Sequence, residues 1–246
     1  MKSYKFTDYT YLEIKGFIED GYLAILPTGC TEQQGPHLPV GFDTWFAETV
    51  AIAAVQHNRG RALVLPAMPF GPTPEHRGFG SGYVNIPHPV HEEFIYFVLE
   101  SLAEQGFSTI VVWRGCGEHR LQRTVDKFNA KFQDRCTACV PALPYRDIWL
   151  RVADPTVPCG HADSFATSIA LYKFPEIVRV DKIPPPNAGQ VDWNDPHLDF
   201  SKYSETGVIG DATKASAELG SRLWNEVVTT SAAIIRNAAV NCAPNG

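Results

Sequence analysis

The sequence predicts an α/β fold, a mostly parallel sheet with helices on both faces, and three observations carry that reading. Short continuous apolar runs end in turn residues; each is followed by a segment with helical apolar spacing; and the alternation repeats at lengths that suit right-handed β-α-β crossovers. The first run, Gly21-Tyr-Leu-Ala-Ile-Leu-Pro27, has the pattern of a strand buried on both faces. From Asp43 to Asn58 the apolar residues Phe46, Val50, Ala53 and Ala54 recur at helical spacing, with Gly60 as a stop. A second unit pairs the strand 62–66 with a helix over about 90–105, its inner face read as Phe94, Phe97, Val98, Ser101 and Leu102. A third runs from the strand 108–113 through Arg114 to Glu118 into a helix over 119–132. Residues 136–142 read as a fourth strand and 211–236 as a long amphipathic helix. Between Pro184 and Gly210 the chain is rich in Pro, Asn, Asp and Ser, a length of irregular chain that usually serves function or an interface.

With 246 residues, 44% of them hydrophobic and 20% charged, the chain is long enough for a substantial core and reads as one domain over 1–246. Lys and Arg number 21 against 27 acidic residues, a net charge of −6 without a basic run, which argues against nucleic acid and membrane surfaces as partners. Met1 to Gly16 lacks an apolar signal core, so a cytoplasmic protein is expected. The six cysteines (Cys30, Cys116, Cys136, Cys139, Cys159, Cys242) are too sparse for a disulfide scaffold and are expected as thiols. Cys136 and Cys139 form a C-x-x-C pair, but in a strand rather than at a helix start, and read as core residues.

Ligands in an open parallel sheet bind at the carboxyl edge of the strands, and two unusual loops fall there. Residues 28–43 and 114–119 together offer Glu32, Gln34, His37, Asp43, Cys116, Glu118 and His119. Neither nucleotide phosphate-loop pattern follows any strand. Simpler roles exist for several of these residues. Asp43 suits a helix N-cap, Glu118 and His119 suit the exposed first turn of a helix, and Cys116 suits a small filler between two glycines. Three buried carboxylates sharing one cleft without a cation would, however, repel one another.

The segment Gly29-Cys-Thr-Glu-Gln-Gln-Gly-Pro-His-Leu-Pro39 with Asp43 resembles the signature of the creatininase (creatinine amidohydrolase) family, G-S-T-E-Q-H-G-P-H-L-P with an aspartate four residues on. Pro69-Phe-Gly-Pro-Thr-Pro-Glu-His76, Arg114-Gly-Cys-Gly-Glu-His119, His161-Ala162 with Thr167-Ser168, and Gly207-Val-Ile-Gly-Asp-Ala-Thr213 resemble later motifs of that family in the same order. The resemblance implies a three-layer α/β/α domain, commonly hexameric, with a two-metal site that hydrolyses small amides. Position by position it implies Glu32 as a ligand of one metal, Asp43 as the bridging carboxylate, Glu118 as a ligand of the second metal and His161 as the group that moves protons.

At the two other ligand positions the family's histidines are replaced by Gln34 and Cys116. A glutamine amide oxygen is a weak donor to transition metals, whereas a cysteine thiolate is an excellent zinc ligand. One site for Zn, Mn or Fe is therefore expected rather than two, with Glu32, Asp43, Glu118 and Cys116 as ligands and His119 as a surrogate for a lost histidine. Glu75, His76, Trp113 and Trp193 are expected to line the cleft, Cys30 to be structural, His37 to hold its loop through a backbone hydrogen bond, and His57, His88, His91 and His197 to lie on the surface. The resulting expectation is a metal-dependent hydrolase of a non-peptide C–N bond in a small amide, formamide or lactam, a divergent biosynthetic member rather than a true creatininase. It would be a homo-oligomer, a hexamer by the resemblance, with a small-molecule substrate. Two rivals remain: a metal-free enzyme with Cys116 as nucleophile for acyl transfer or cyclisation, and a binding protein on the same fold.

Overall fold

A computed structural model describes residues 3–117, 119–132, 134–187 and 189–241. Four strands, β1 (Leu23–Thr28), β2 (Ala62–Val64), β3 (Thr109–Arg114) and β4 (Thr137–Cys139), form an all-parallel sheet in the order β2-β1-β3-β4. Seven α-helices accompany them among the described residues: α1 (Tyr11–Glu19), α2 (Phe42–Asn58), α3 (His88–Gln105), α4 (Gln122–Phe132), α5 (Tyr145–Val152), α6 (Ser164–Lys173) and α7 (Ala217–Asn241).

The two-residue period of the strands sorts the core into two layers. Leu23 and Ile25, Ala62 and Val64, and Val111 and Trp113 face one cluster, which they share with α2, α5, α6 and α7. Ala24 and Leu26, Leu63, and Ile110 and Val112 face the other, with α1, α3 and α4. The inner positions of the strands are apolar on both faces because both faces are covered, and the three-layer α/β/α architecture follows.

Three expectations are corrected here. On α3 the buried residues are His91, Ile95, Tyr96, Leu99, Leu102 and Ala103, while Phe94 and Phe97 are more than half exposed. The helix is therefore rotated from the face its phenylalanines suggested, and His91 is core rather than surface. Trp113 points from β3 into the core with no exposed surface, so it is not a cleft wall. The last helix begins at Ala217, because Asp211 Oδ1 accepts the Thr213 N–H at 2.7 Å and folds 211–213 into a turn. Helices α1 and α5 lie where no helix was expected; α1 opens on a reciprocal capping box between Thr10 and Glu13. No helix among the described residues is long and apolar enough to cross a membrane.

The chain leaves β1 toward β2 on one side and leaves β3 toward β4 on the other, so the neighbouring ends of β1 and β3 mark the switch point where a crevice opens. Thr28 is in register with Arg114 there, and the Gly115 N–H bonds the Thr28 carbonyl at 2.6 Å. Both chemistry-bearing loops start from this point.

Candidate active site

A cavity of about 590 Å³ opens at the switch point. Its polar floor is formed by Glu32, Gln34, Asp43, Glu75, Cys116 and His161, and its walls are largely aromatic, including Tyr145, Trp149, Trp193 and Phe200, with Arg146 among them. Trp193 and Phe200 belong to the irregular segment 184–210, which folds over the sheet edge; Phe200 packs on His161 and His76 with centroids 5.3 and 5.1 Å apart.

The loop after β1 supplies Glu32, which is almost wholly buried. Burial opposes its ionisation, but the imidazoles of His76 and His161 and a shared hydrogen bond with Asp43 outweigh that and lower its pKa to about 2. Asp43 moves the other way, raised well above the usual carboxylate range by burial and by the Glu32 charge. Its place also differs from an N-cap. Gly41 occupies that position, and Asp43 sits one residue inside α2 with its carboxyl in the cavity. Gln34 stands beside them, its Nε2 donating to Glu32 Oε1 at 3.3 Å.

Glu75 and His76 come from the short 3₁₀ turn 74–79. Glu75 reaches the cavity and its pKa is raised by burial; His76 lies one layer beneath, wholly buried. His76 Nε2 is 3.4 Å from Glu32 Oε1 and from Glu75 Oε1, without a well-aligned bond to either. Its Nδ1 meets the Gln33 amide at 3.0 Å, and that amide is pinned by the Gly35 N–H at 2.9 Å and by the Gly207 carbonyl at 3.2 Å. Burial disfavours its charged form, but Glu32 and Glu75 outweigh that and raise the His76 pKa to about 9.

His161 is fixed from three sides. Its backbone exchanges two 2.9 Å bonds with Ile209, its Nε2 lies 2.7 Å from the Gln33 carbonyl, and the following Asp163 caps α6 through the N–H groups of Phe165 and Ala166. Ala162 between them has φ of 52°, a left-handed conformation that the flanking bonds impose. Because Nε2 donates to a carbonyl, Nδ1 carries the free lone pair, 3.8 Å from Glu32 Oε1. Burial lowers the pKa of this ring to about 4.

The loop after β3 brings Cys116 to the floor, its Sγ 3.6 Å from Glu32 Oε2. The Cys116 pKa is raised well above the usual range by a hydrogen bond with Cys30, by burial and by the charges of Glu32 and Asp43. The expected assistance of a helix N-terminus is also missing, since α4 begins only at Gln122. This is the opposite of an activated nucleophile's surroundings. His119, expected as an exposed first-turn residue or as a ligand, is wholly buried behind the floor, with Nδ1 2.8 Å from Thr28 Oγ1 and Nε2 3.1 Å from Cys30 Sγ. Glu118 and Cys242 lie outside the described residues.

His37 holds its loop as expected, but its Nε2 bonds the Thr167 hydroxyl at 2.8 Å rather than a backbone group. Gln33 is the residue that sequence reasoning passed over, and Cys30, expected only as structural, is the one whose surroundings it did not foresee. A polar residue flanked by two obvious candidates and a cysteine at a small-residue position give no local sign of burial against distant histidines.

The donor chemistry at the floor fits a divalent cation. Glu32, Asp43 and Glu75 converge in a buried space, and Glu75 Oε2 has no hydrogen-bond partner among the described residues. Three sets of donor atoms lie within 4.8 Å of one another: Glu32, His76 and His161; Glu32, Glu75 and Cys116; and Cys30, Cys116 and His119. Gln34, directing its amide at Glu32, adds no strong ligand for a second ion.

The creatinine amidohydrolase family model matches residues 7–235. The chain is 29% identical over 213 residues, 84% of its length and 81% of the relative's, to a mycofactocin precursor peptide peptidase of Mycolicibacterium smegmatis. It is 26% identical over 245 residues, 87% of its length and 76% of the relative's, to a 3-dehydro-scyllo-inosose hydrolase of Thermotoga maritima. Among solved structures, a manganese creatininase superposes with a TM-score of 0.85 at 20% identity, covering 96% of this chain and 98% of that one.

Proposed function

Because the chain belongs to the creatinine amidohydrolase family and is an amidohydrolase-like enzyme, we propose that it hydrolyses a non-peptide C–N bond of a small amide, formamide or lactam with the help of a single Zn, Mn or Fe ion. The observation that carries the reading is the convergence of Glu32, Asp43 and Glu75 beside His161 at the floor of one cavity. A divalent ion bound there polarises a carbonyl and lowers the pKa of water. Glu32 and Asp43, with Cys116, are the residues to hold it, and Glu118 joins them by its position in the family motif.

The remaining roles follow from this chain's own side chains. His161 Nδ1, its lone pair directed to the floor by the Nε2 bond to Gln33, takes a proton from the attacking side and returns it to the leaving nitrogen. Gln33 holds both His161 and His76 in orientation. The aromatic walls exclude water and favour a flat, partly apolar substrate, and 590 Å³ lies within the ordinary range of about 300–1,000 Å³ for small-molecule sites. The altered donor set supports a divergent, biosynthetic substrate over creatinine. A second substrate class, a short peptide, is favoured by the name of the mycobacterial relative.

A cytoplasmic location is part of this reading, supported by six cysteines too sparse for a disulfide scaffold. Homo-oligomerisation, hexameric by family likeness, is part of the same reading, and the exposed stripe Val90, Phe94 and Phe97 on α3 is an apolar surface suited to it. Light scattering on the purified chain gives the subunit number.

The test of function is a hydrolysis screen with amides, formamides, lactams and short peptides, run with and without added metal. Metal-stimulated turnover of one of the three small-molecule classes, lost in Glu32→Gln, is the expected result. Turnover that survives chelation and Glu32→Gln but is abolished by Cys116→Ser would replace this reading with thiol catalysis.

A further inference from the structure

Beneath the cavity floor lies a donor set that the family pattern does not contain. Cys30 stands in the β1 loop where the family signature has serine, Cys116 stands in the β3 loop at a histidine position, and His119 follows three residues later. The parallel pairing of β1 with β3 brings the three together, their ligand atoms within 4.8 Å of one another. The Cys30 and His119 side chains are wholly buried, while Cys116 is the member that reaches the cavity.

The His119 ring is held as a metal-binding imidazole is usually held. Thr28 Oγ1 lies 2.8 Å from Nδ1 and can accept its hydrogen, which leaves the Nε2 lone pair directed at Cys30 Sγ, 3.1 Å away. His91 packs against the same ring at 4.7 Å. Gly71 packs so closely on the ring that a Cβ there would collide with Nε2, so the absent side chain is what lets His119 occupy this position. Glu32 Oε2, 3.6 Å from Cys116 Sγ, is the hard donor on the cavity side.

We propose that Cys30, Cys116 and His119 form a soft sulfur and nitrogen site for one Zn²⁺-class ion, with Glu32 and the cavity on its remaining side. Two thiolates and one imidazole are a zinc donor set, and three protein ligands with one outward position are the pattern of catalytic rather than structural zinc. Loading is an exchange in which M²⁺ replaces the two thiol hydrogens, so two protons leave per ion bound. The site sits one layer deeper than a carboxylate centre formed by Glu32 and Asp43. It gives a physical account of the paired changes in this chain, in which a ligand position has become cysteine and a small residue behind it has become a second cysteine. The inference rests on the metal-dependent reading above and moves that reading's single ion from the set of Glu32, Asp43 and Cys116 to this deeper one, with Cys116 and Glu32 common to both.

The test uses the whole chain, reduced and stripped of metal, then titrated with Co²⁺ and with Zn²⁺. The expected result is an intense thiolate-to-cobalt charge-transfer absorption, zinc X-ray absorption with sulfur neighbours at about 2.3 Å, and release of about two protons per ion. Cys30→Ser should remove much of the absorption and weaken Zn²⁺ binding by more than the roughly 10–100-fold typical of losing a group behind the ligands. Cys139→Ser, in β4, should leave both unchanged, and circular dichroism of each variant checks folding. An ion bound with only oxygen and nitrogen neighbours, unaffected by Cys30→Ser, overturns this site while leaving the metal-dependent hydrolase standing. No tight binding of either ion overturns both.

Discussion

His161 owes its chemistry to Gln33. With Nε2 tied to the Gln33 carbonyl, the lone pair is confined to Nδ1, and burial lowers the pKa to about 4, so the ring is neutral at ordinary pH. His161→Gln should retain the fold and lower turnover by about 10²- to 10⁴-fold, the usual contribution of a positioned acid or base; steady-state kinetics on the substrate found by screening reads this directly. His37 is a structural counterpart. Burial lowers its pKa to about 4 from the ordinary 6.5. Between those values the unfolded chain takes up a proton that the native chain refuses, so this residue causes stability to fall as pH drops through the window and to level off near its lower end. In thermal denaturation, the Tm advantage of the wild type over His37→Gln should shrink as pH falls from 6.5 to 4; a constant difference would contradict it. Asp43, Glu32 and His161 were legible because motif position singles them out. Cys30, Gln33 and His91 were not, because their importance arises from contacts across as many as 174 residues of chain.

Elements inherit their limits from where they pack. The strands were legible because burial on both faces demands unbroken apolar runs. The face of α3 was not, because its phenylalanines lie outside while His91 and Tyr96 lie inside, a choice made by the partners of the helix and not by its own period. The capping box Thr10-x-x-Glu13 could have announced α1; Thr10→Ala should cost about 1 kcal/mol of stability in denaturant unfolding. Helices α6 and α7 approach so closely that a Cβ on Gly220 would run into the Ser168 carbonyl. Gly220→Ala, which in an exposed helix would stabilise by roughly 0.5–1 kcal/mol, should here destabilise by about 1–3 kcal/mol, the range for overpacking. A raised Tm in that variant would show that the two helices can separate without loss.

For the molecule as a whole, the sheet order places the two variable loops side by side at a single crevice, and this is why residues far apart in sequence form one floor. Residues of these loops can change without loss of the fold because the core beneath them is built from the strands and helices, and function follows the loops. Gln34 and Cys116 mark that exchange in the sequence itself; the inward turn of His119 and the meeting of Cys30 with Cys116 became visible only in three dimensions. The most direct test of the central claim, one ion at the crevice floor, is the metal content per chain of freshly purified protein, measured by elemental mass spectrometry for the wild type and for Glu32→Gln. The account predicts about one Zn, Mn or Fe per chain in the wild type and a marked loss in the variant. Two ions per chain, or none in a folded and active protein, would contradict it.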